Sequence, residues 1–124
     1  MLSQFKSLAL FSGALIALGG VDAARAENKF FSALPDVPMA SGLTELTDSV
    51  VIFDKASGRL VDFAAKGAGD CAAPMSFYQQ SLPALGWVKL SSGYLREAEL
   101  LNIHAEVDDA GECLLTFSLR PQGN

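Results

Sequence analysis

The stretch FYQQSLPALGW, residues 77–87, decides how the rest of the chain is read. Phe77, Tyr78, Ser81, Leu82 and Leu85 recur at three- and four-residue steps, the period of one helical face. Pro83 disfavours helical geometry at Leu82, and Gly86 can adopt the left-handed turn that closes a helix. After Gly86 the period falls to two, so Trp87 is expected to begin a returning strand. Phe77, Leu82 and Leu85 are then the anchors that hold the helix on a sheet.

Upstream, Asp70 is a plausible N-cap, and Pro74 is tolerated in a first turn, where amides have no partner inside the helix. Before them, SVVIFDKASGRLVDFAAKG, residues 49–67, holds two β-prone runs, Val50–Phe53 and Leu60–Ala65. The polar, Gly-containing turn between the runs, Asp54 to Gly58, predicts a hairpin. Val61, Phe63 and Ala65 share one face of the second strand, and Asp62, Ala64 and Lys66 share the other. Leu60 is left on the polar face. Residues 27–47, with Pro35, Pro38 and Gly42, have no regular period. They read as an irregular lead-in whose apolar residues, Phe30, Phe31, Leu34, Val37, Met39 and Leu43, lie against the domain.

Downstream, Ser91-Ser92-Gly93 separates Trp87–Leu90 from Tyr94–Arg96, and Asp108 to Gly111 separates Leu100–Val107 from Cys113–Leu119. Leu101, Ile103, Ala105 and Val107 alternate with Asn102, His104 and Glu106. Cys113, Leu115, Phe117 and Leu119 alternate with Leu114, Thr116, Ser118 and Arg120. The expected fold is α+β: two strands, one helix, then a meander of three or four strands, with the helix packed on one face of an antiparallel sheet. The single domain spans 48–121, and residues 122–124 form a tail. Phe53, Phe63, Phe77, Leu82, Trp87, Leu115 and Phe117 are large enough to fill so small a core.

The chain begins with a segment carrying Lys6, continues in an apolar run from Leu8 to about Val21, and reaches Ala24-Arg25-Ala26. That layout predicts a signal peptide over residues 1–26, with an A-x-A cleavage site. Ser12, Gly13, Gly19 and Gly20 interrupt the run, which is shorter than the roughly 20 residues of a spanning helix. Cleavage would leave 98 of the 124 residues. Lys6, Arg25 and Asp22 would be removed, so seven of nine basic and thirteen of fourteen acidic residues remain, a formal charge of −6. An acidic surface with scattered basic residues argues against nucleic acid and anionic lipid as partners. The expected location is the periplasm, or outside the cell.

FYQQSLPALGW, with the hairpin after it and the Pro-containing LPDVPMASGL ahead of it, resembles a pattern F-Y-x-x-x-L-P-x-L-G-W in small secreted or lipid-anchored bacterial envelope proteins of unassigned function. The resemblance spans most of the chain beyond residue 26 and rests on structural residues. It implies a fold and a compartment, and no catalytic residue.

His104 is the only histidine, with Glu106 as its one obvious companion, whereas zinc takes three or four ligands. No metal and no cofactor is expected. Lys66-Gly67-Ala68-Gly69-Asp70 precedes a helix as a phosphate loop would, but its Lys comes before the glycines and Asp70 stands where the phosphate would bind. Asp108-Asp109 with Glu112 lacks the spacing of a calcium loop, and Glu97 with Glu99 reads as solvated charge. Cys71 at a helix start could be an activated nucleophile, yet Asp70 beside it would raise the thiol pKa. In an oxidising compartment Cys71 and Cys113 have one intramolecular pairing, and Cys113 points to the face that the helix should cover.

These residues point to an exported, non-catalytic interaction module, in contact with another envelope protein through its open sheet face or its lead-in. The alternative is a carrier with a small-ligand pocket between helix and sheet, lined by Tyr78, Trp87 and Phe117. A Cys71-dependent enzyme is the remote third reading.

Overall fold

The structure, a computed structural model, describes residues 29–122. The expected signal peptide and its cleavage site lie outside the described residues, as do Glu27, Asn28 and the last two residues of the tail.

Strand β1 (Thr44–Lys55) and strand β2 (Gly58–Gly67) form the expected hairpin, and helix α1 (Ala72–Ala84) follows. Strands β3 (Val88–Leu90), β4 (Gly93–Arg96), β5 (Glu99–Val107) and β6 (Cys113–Pro121) complete one sheet in the order β1-β2-β6-β5-β4-β3. Every pairing is antiparallel. The fold is α+β and mostly sheet. β6, the last strand in sequence, sits in the middle, between β2 and β5, which gives it the most buried face. Cys113, Leu115, Phe117 and Leu119 are all fully buried there.

The stretch 77–87 closes the helix with a Schellman motif. The Trp87 N–H donates to the Leu82 carbonyl at 3.0 Å and the Gly86 N–H to that of Pro83 at 3.1 Å, with Gly86 at φ +95°. Leu82 and Trp87, the apolar pair that accompanies such a cap, are both buried. At the other end, Asp70 Oδ1 accepts from the Ala72 N–H at 3.0 Å, next to Cys71 in the cap position.

Three residues expected in the core or as anchors, Phe77, Leu85 and Phe53, are placed differently. Tyr78, and not Phe77, is buried with Leu82, while Phe77 is partly buried and Leu85 is 41% exposed. Tyr78 and Leu82 are four residues apart on one helical line, whereas Leu85 belongs to the capping turn and swings outward. Phe53 is 58% exposed. The turn is two residues, Ala56 and Ser57, so Lys55 pairs with Gly58 and Phe53 with Leu60, on the outer face. Ile52, on the opposite face and paired with Val61, is 54% exposed as well, so this end of the edge strand β1 is uncovered on both faces.

The lead-in contributes more of the core than a covering segment would. Phe31, Leu34 and Val37 are fully buried, and Ala33, Ala40 and Leu43 nearly so. The Phe31 ring packs 4.8 Å from both Phe63 and Phe117, which stack on each other at 4.7 Å. Tyr78 meets Phe117 edge-on at 5.5 Å. Glu45 in β1 holds the segment, its carboxylate accepting from the Ser32 N–H and hydroxyl and from the Ala33 N–H. Burial on this scale, about 25 cal/mol per Å² of apolar surface, makes residues 31–43 an integral part of the domain.

The Cys71 and Cys113 sulfurs are bonded at 2.06 Å, which closes a loop with a sequence separation of 42. That bond ties the start of α1 to the first residue of the central strand.

Candidate functional site

The residues expected to line a pocket between helix and sheet lie in the packed interior. Tyr78 and Phe117 are inaccessible and Trp87 is 1% exposed. The Tyr78 hydroxyl is committed on both sides, donating to the Pro38 carbonyl at 2.7 Å and accepting from the Ala40 N–H at 3.0 Å. Burial raises the Tyr78 pKa. The Trp87 ring carries the Arg96 guanidinium over its face at 4.4 Å. Its Nε1–H has no hydrogen-bond partner among the described residues.

Arg96 belongs to a charged cluster that pins the lead-in to one end of the sheet. It reaches Asp36 at 2.6 Å, Asp36 lies 3.8 Å from Arg59, and Arg59 grips the Glu99 carboxylate with two bonds of 2.7 and 3.0 Å. The Glu99 hydrogen bond is the main cause that raises the Arg59 pKa. All four charges are matched within the cluster, which makes it a brace for residues 31–37.

The other sequence candidates are likewise engaged in turns and pairs. Lys66 binds Asp108 at 3.1 Å and Glu112 at 3.4 Å. The Asp108 carboxyl is held below its ordinary range, first by the Glu112 backbone N–H and then by Lys66. His104 lies on the outer face, 72% exposed, with Nε2 3.4 Å from Glu106. Among the described residues no three His, Cys, Asp or Glu side chains converge as metal ligands. Cys71 is disulfide-bonded and presents no thiol in this state.

Two features with open chemistry remain. The first is an apolar groove of about 680 Å³ between the lead-in and α1. Phe30, Pro38, Met39, Phe77 and Leu85 form its apolar wall, and Lys29 is the charged residue among those lining it. Ser81 also lines it, with a buried Oγ that has no partner among the described residues.

The second is a row on the outer face of the sheet. Phe53 pairs with Leu60, Leu100 with Arg120 and with Leu95, and Leu95 with Val88. Leu60 precedes Val61, whose partner is Leu119, so Leu60 comes level with Arg120. The row therefore crosses all six strands and is apolar except at Arg120. The next row along β2, β6 and β5 is Asp62, Ser118 and Asn102. Arg120 turns onto that row, binding Asp62 at 3.0 and 3.2 Å and lowering its pKa. Phe53 and Val88, at the two edges, are each 58% exposed.

Alternation placed Leu60 on the outer face, but the row depends on cross-strand register, which a single strand's pattern does not contain. Lys29, Phe30, Pro38 and Met39 come from a segment with no period, where only the apolar character of Phe30 and Met39 signalled a role and nothing marked Lys29.

Among the described residues no helix is long and apolar enough to cross a membrane. No protein-family model, curated protein or solved structure matches the chain, so the groove and the row stand on their own chemistry.

Proposed function

We propose that the protein is an exported, non-catalytic binding module that docks on another envelope protein through the outer face of its sheet. The apolar row from Phe53 through Leu60, Leu100 and Leu95 to Val88 carries this reading. An apolar stripe open to solvent and bordered by polar residues is the surface that a partner covers. Asp62, Ser118 and Asn102 border it one row away on β2, β6 and β5, while Val51, 59% exposed opposite Asp62, extends the apolar surface on β1. Export is supported by the leader-like residues 1–26 and by a disulfide, a bond that persists in oxidising compartments. The resemblance to small bacterial envelope proteins points the same way.

The test is capture from envelope extract. The parent protein should retain a partner, and the double variant Phe53→Asp/Val88→Asp should lose it. Both positions are more than half exposed, so the variant should keep the parent's circular dichroism spectrum and melting temperature. His104→Ala, two rows from the stripe, should retain the partner. Undiminished capture by the folded double variant removes the reading.

A second reading, carriage of a small ligand, is favoured by the groove between the lead-in and α1. In this form the ligand lies outside the Tyr78, Trp87 and Phe117 cluster.

A further inference from the structure

We infer that the groove binds a single-chain alkyl carboxylate, its chain lying along α1 and its headgroup meeting Lys29. This rests on the carrier reading alone and is independent of docking on the outer face.

Shape favours an alkyl chain. Phe77, Ser81 and Ala84 line the groove from positions that span about 10 Å of helix axis, and Leu85 continues it from the capping turn. The opposite wall runs from Pro38 to Ala40 and then through the turn at Ser41-Gly42, which the Leu43 N–H closes on the Ala40 carbonyl at 3.2 Å. A trough of that length with aliphatic and aromatic walls fits a medium alkyl chain better than a compact polar molecule. Its volume, about 680 Å³, falls among pockets that hold one small ligand. Phe30 and Leu85 present large apolar surface there, at 48% and 41% exposure. The chain would cover surface that now faces water.

Charge selects the headgroup. Acidic residues outnumber basic ones in this chain, fourteen to nine, yet none of the described residues lining the groove is Asp or Glu. The charged residue there is Lys29, whose ammonium rides on a flexible four-carbon stem and can follow a carboxylate at the groove's mouth. A cationic headgroup would meet like charge, and a neutral one would leave the lysine unused. Selectivity for a carboxylate over an ammonium of the same chain length follows.

The experiment is calorimetric titration of the protein, purified from the producing cells, with decanoate, dodecanoate, dodecanol and dodecyltrimethylammonium, all below their aggregation limits. Dodecanoate should bind tighter than decanoate, approaching fourfold for each added methylene that is fully buried. Lys29→Ala should weaken dodecanoate about two- to fivefold and leave dodecanol unchanged. Phe30→Glu and Leu85→Glu, at exposed positions that preserve the fold, should abolish binding of both. If dodecanol or the ammonium binds as tightly as dodecanoate, the groove is a carrier site of another ligand class and this inference fails. If none of the four binds, the carrier reading fails with it. The Phe53→Asp/Val88→Asp variant should bind dodecanoate like the parent, which separates this site from the outer face.

Discussion

The Tyr78 hydroxyl donates to the Pro38 carbonyl at 2.7 Å, joining the helix to the lead-in across 40 positions of sequence. The same oxygen accepts from the Ala40 N–H at 3.0 Å. One side chain thus satisfies two backbone groups of a segment that has no ladder of its own there. Tyr78→Phe keeps the ring against Phe117 and removes both bonds. A buried polar group left without a partner costs about 1–3 kcal/mol, so the variant should unfold at lower urea with an unchanged m-value.

The same hydroxyl predicts an alkaline limit. Burial raises the Tyr78 pKa above its ordinary value of 10.0. The unfolded chain then releases this proton at lower pH than the folded one. The stability from the neutral phenol is fully present below the unfolded value near 10 and is lost as pH rises from there toward the raised folded value. Urea midpoints should fall above about pH 10 in the parent, and Tyr78→Phe should show a shallower fall.

Reduction of the Cys71–Cys113 bond should destabilise the fold strongly. In the chain-entropy model a closed loop of 42 residues is worth about 4 kcal/mol. A small domain has a total stability of about 5–15 kcal/mol, so the loss is a large share. Thiol titration of the unfolded, unreduced protein should find no free thiol, and reductant should lower the melting temperature. Two thiols in freshly isolated protein would overturn the pairing and restore Cys71 as a reactive group.

What was legible in the sequence was periodicity and punctuation. Alternation put Cys113, Leu115, Phe117 and Leu119 on one face, and all four are buried. Gly86 marked the helix end, and Cys71 and Cys113 had one possible pairing. Register was not legible, because it depends on turn length. A five-residue turn was expected where two residues suffice, which puts Phe53 opposite Leu60 in the outer row, and the end of the edge strand it lies on is uncovered on both faces, with Ile52 54% exposed as well. The weight of the lead-in was also hidden. Phe31 reaches the centre of the aromatic cluster through tertiary packing, from a segment without period. Tyr78 was assigned to a pocket for its aromatic surface, whereas its hydroxyl is used by the backbone of residues 38 and 40. The groove is built half from that aperiodic segment, so its wall could not be assembled before the chain was folded.

Two glycines separate conformational strain from steric exclusion. Gly86 closes the Schellman motif at φ +95°, and a methyl group added there would meet only the flexible Arg96 side chain, at 3.5 Å. Gly86→Ala should cost about 1–2 kcal/mol, the penalty of a left-handed conformation for an L-residue. Gly93 starts β4 at φ +144°, and an added Cβ would lie 2.6 Å from the Leu101 carbonyl oxygen. That oxygen belongs to strand β5, which is paired on both sides and cannot move aside without breaking its ladder. Gly93→Ala combines a backbone conformation nearly reserved for glycine with a backbone clash, and should cost about 3 kcal/mol or more. Urea denaturation of the two variants should rank them in that order. If Gly93→Ala were as stable as Gly86→Ala, β4 would have to pair with β5 less closely than the Tyr94–Leu101 register requires.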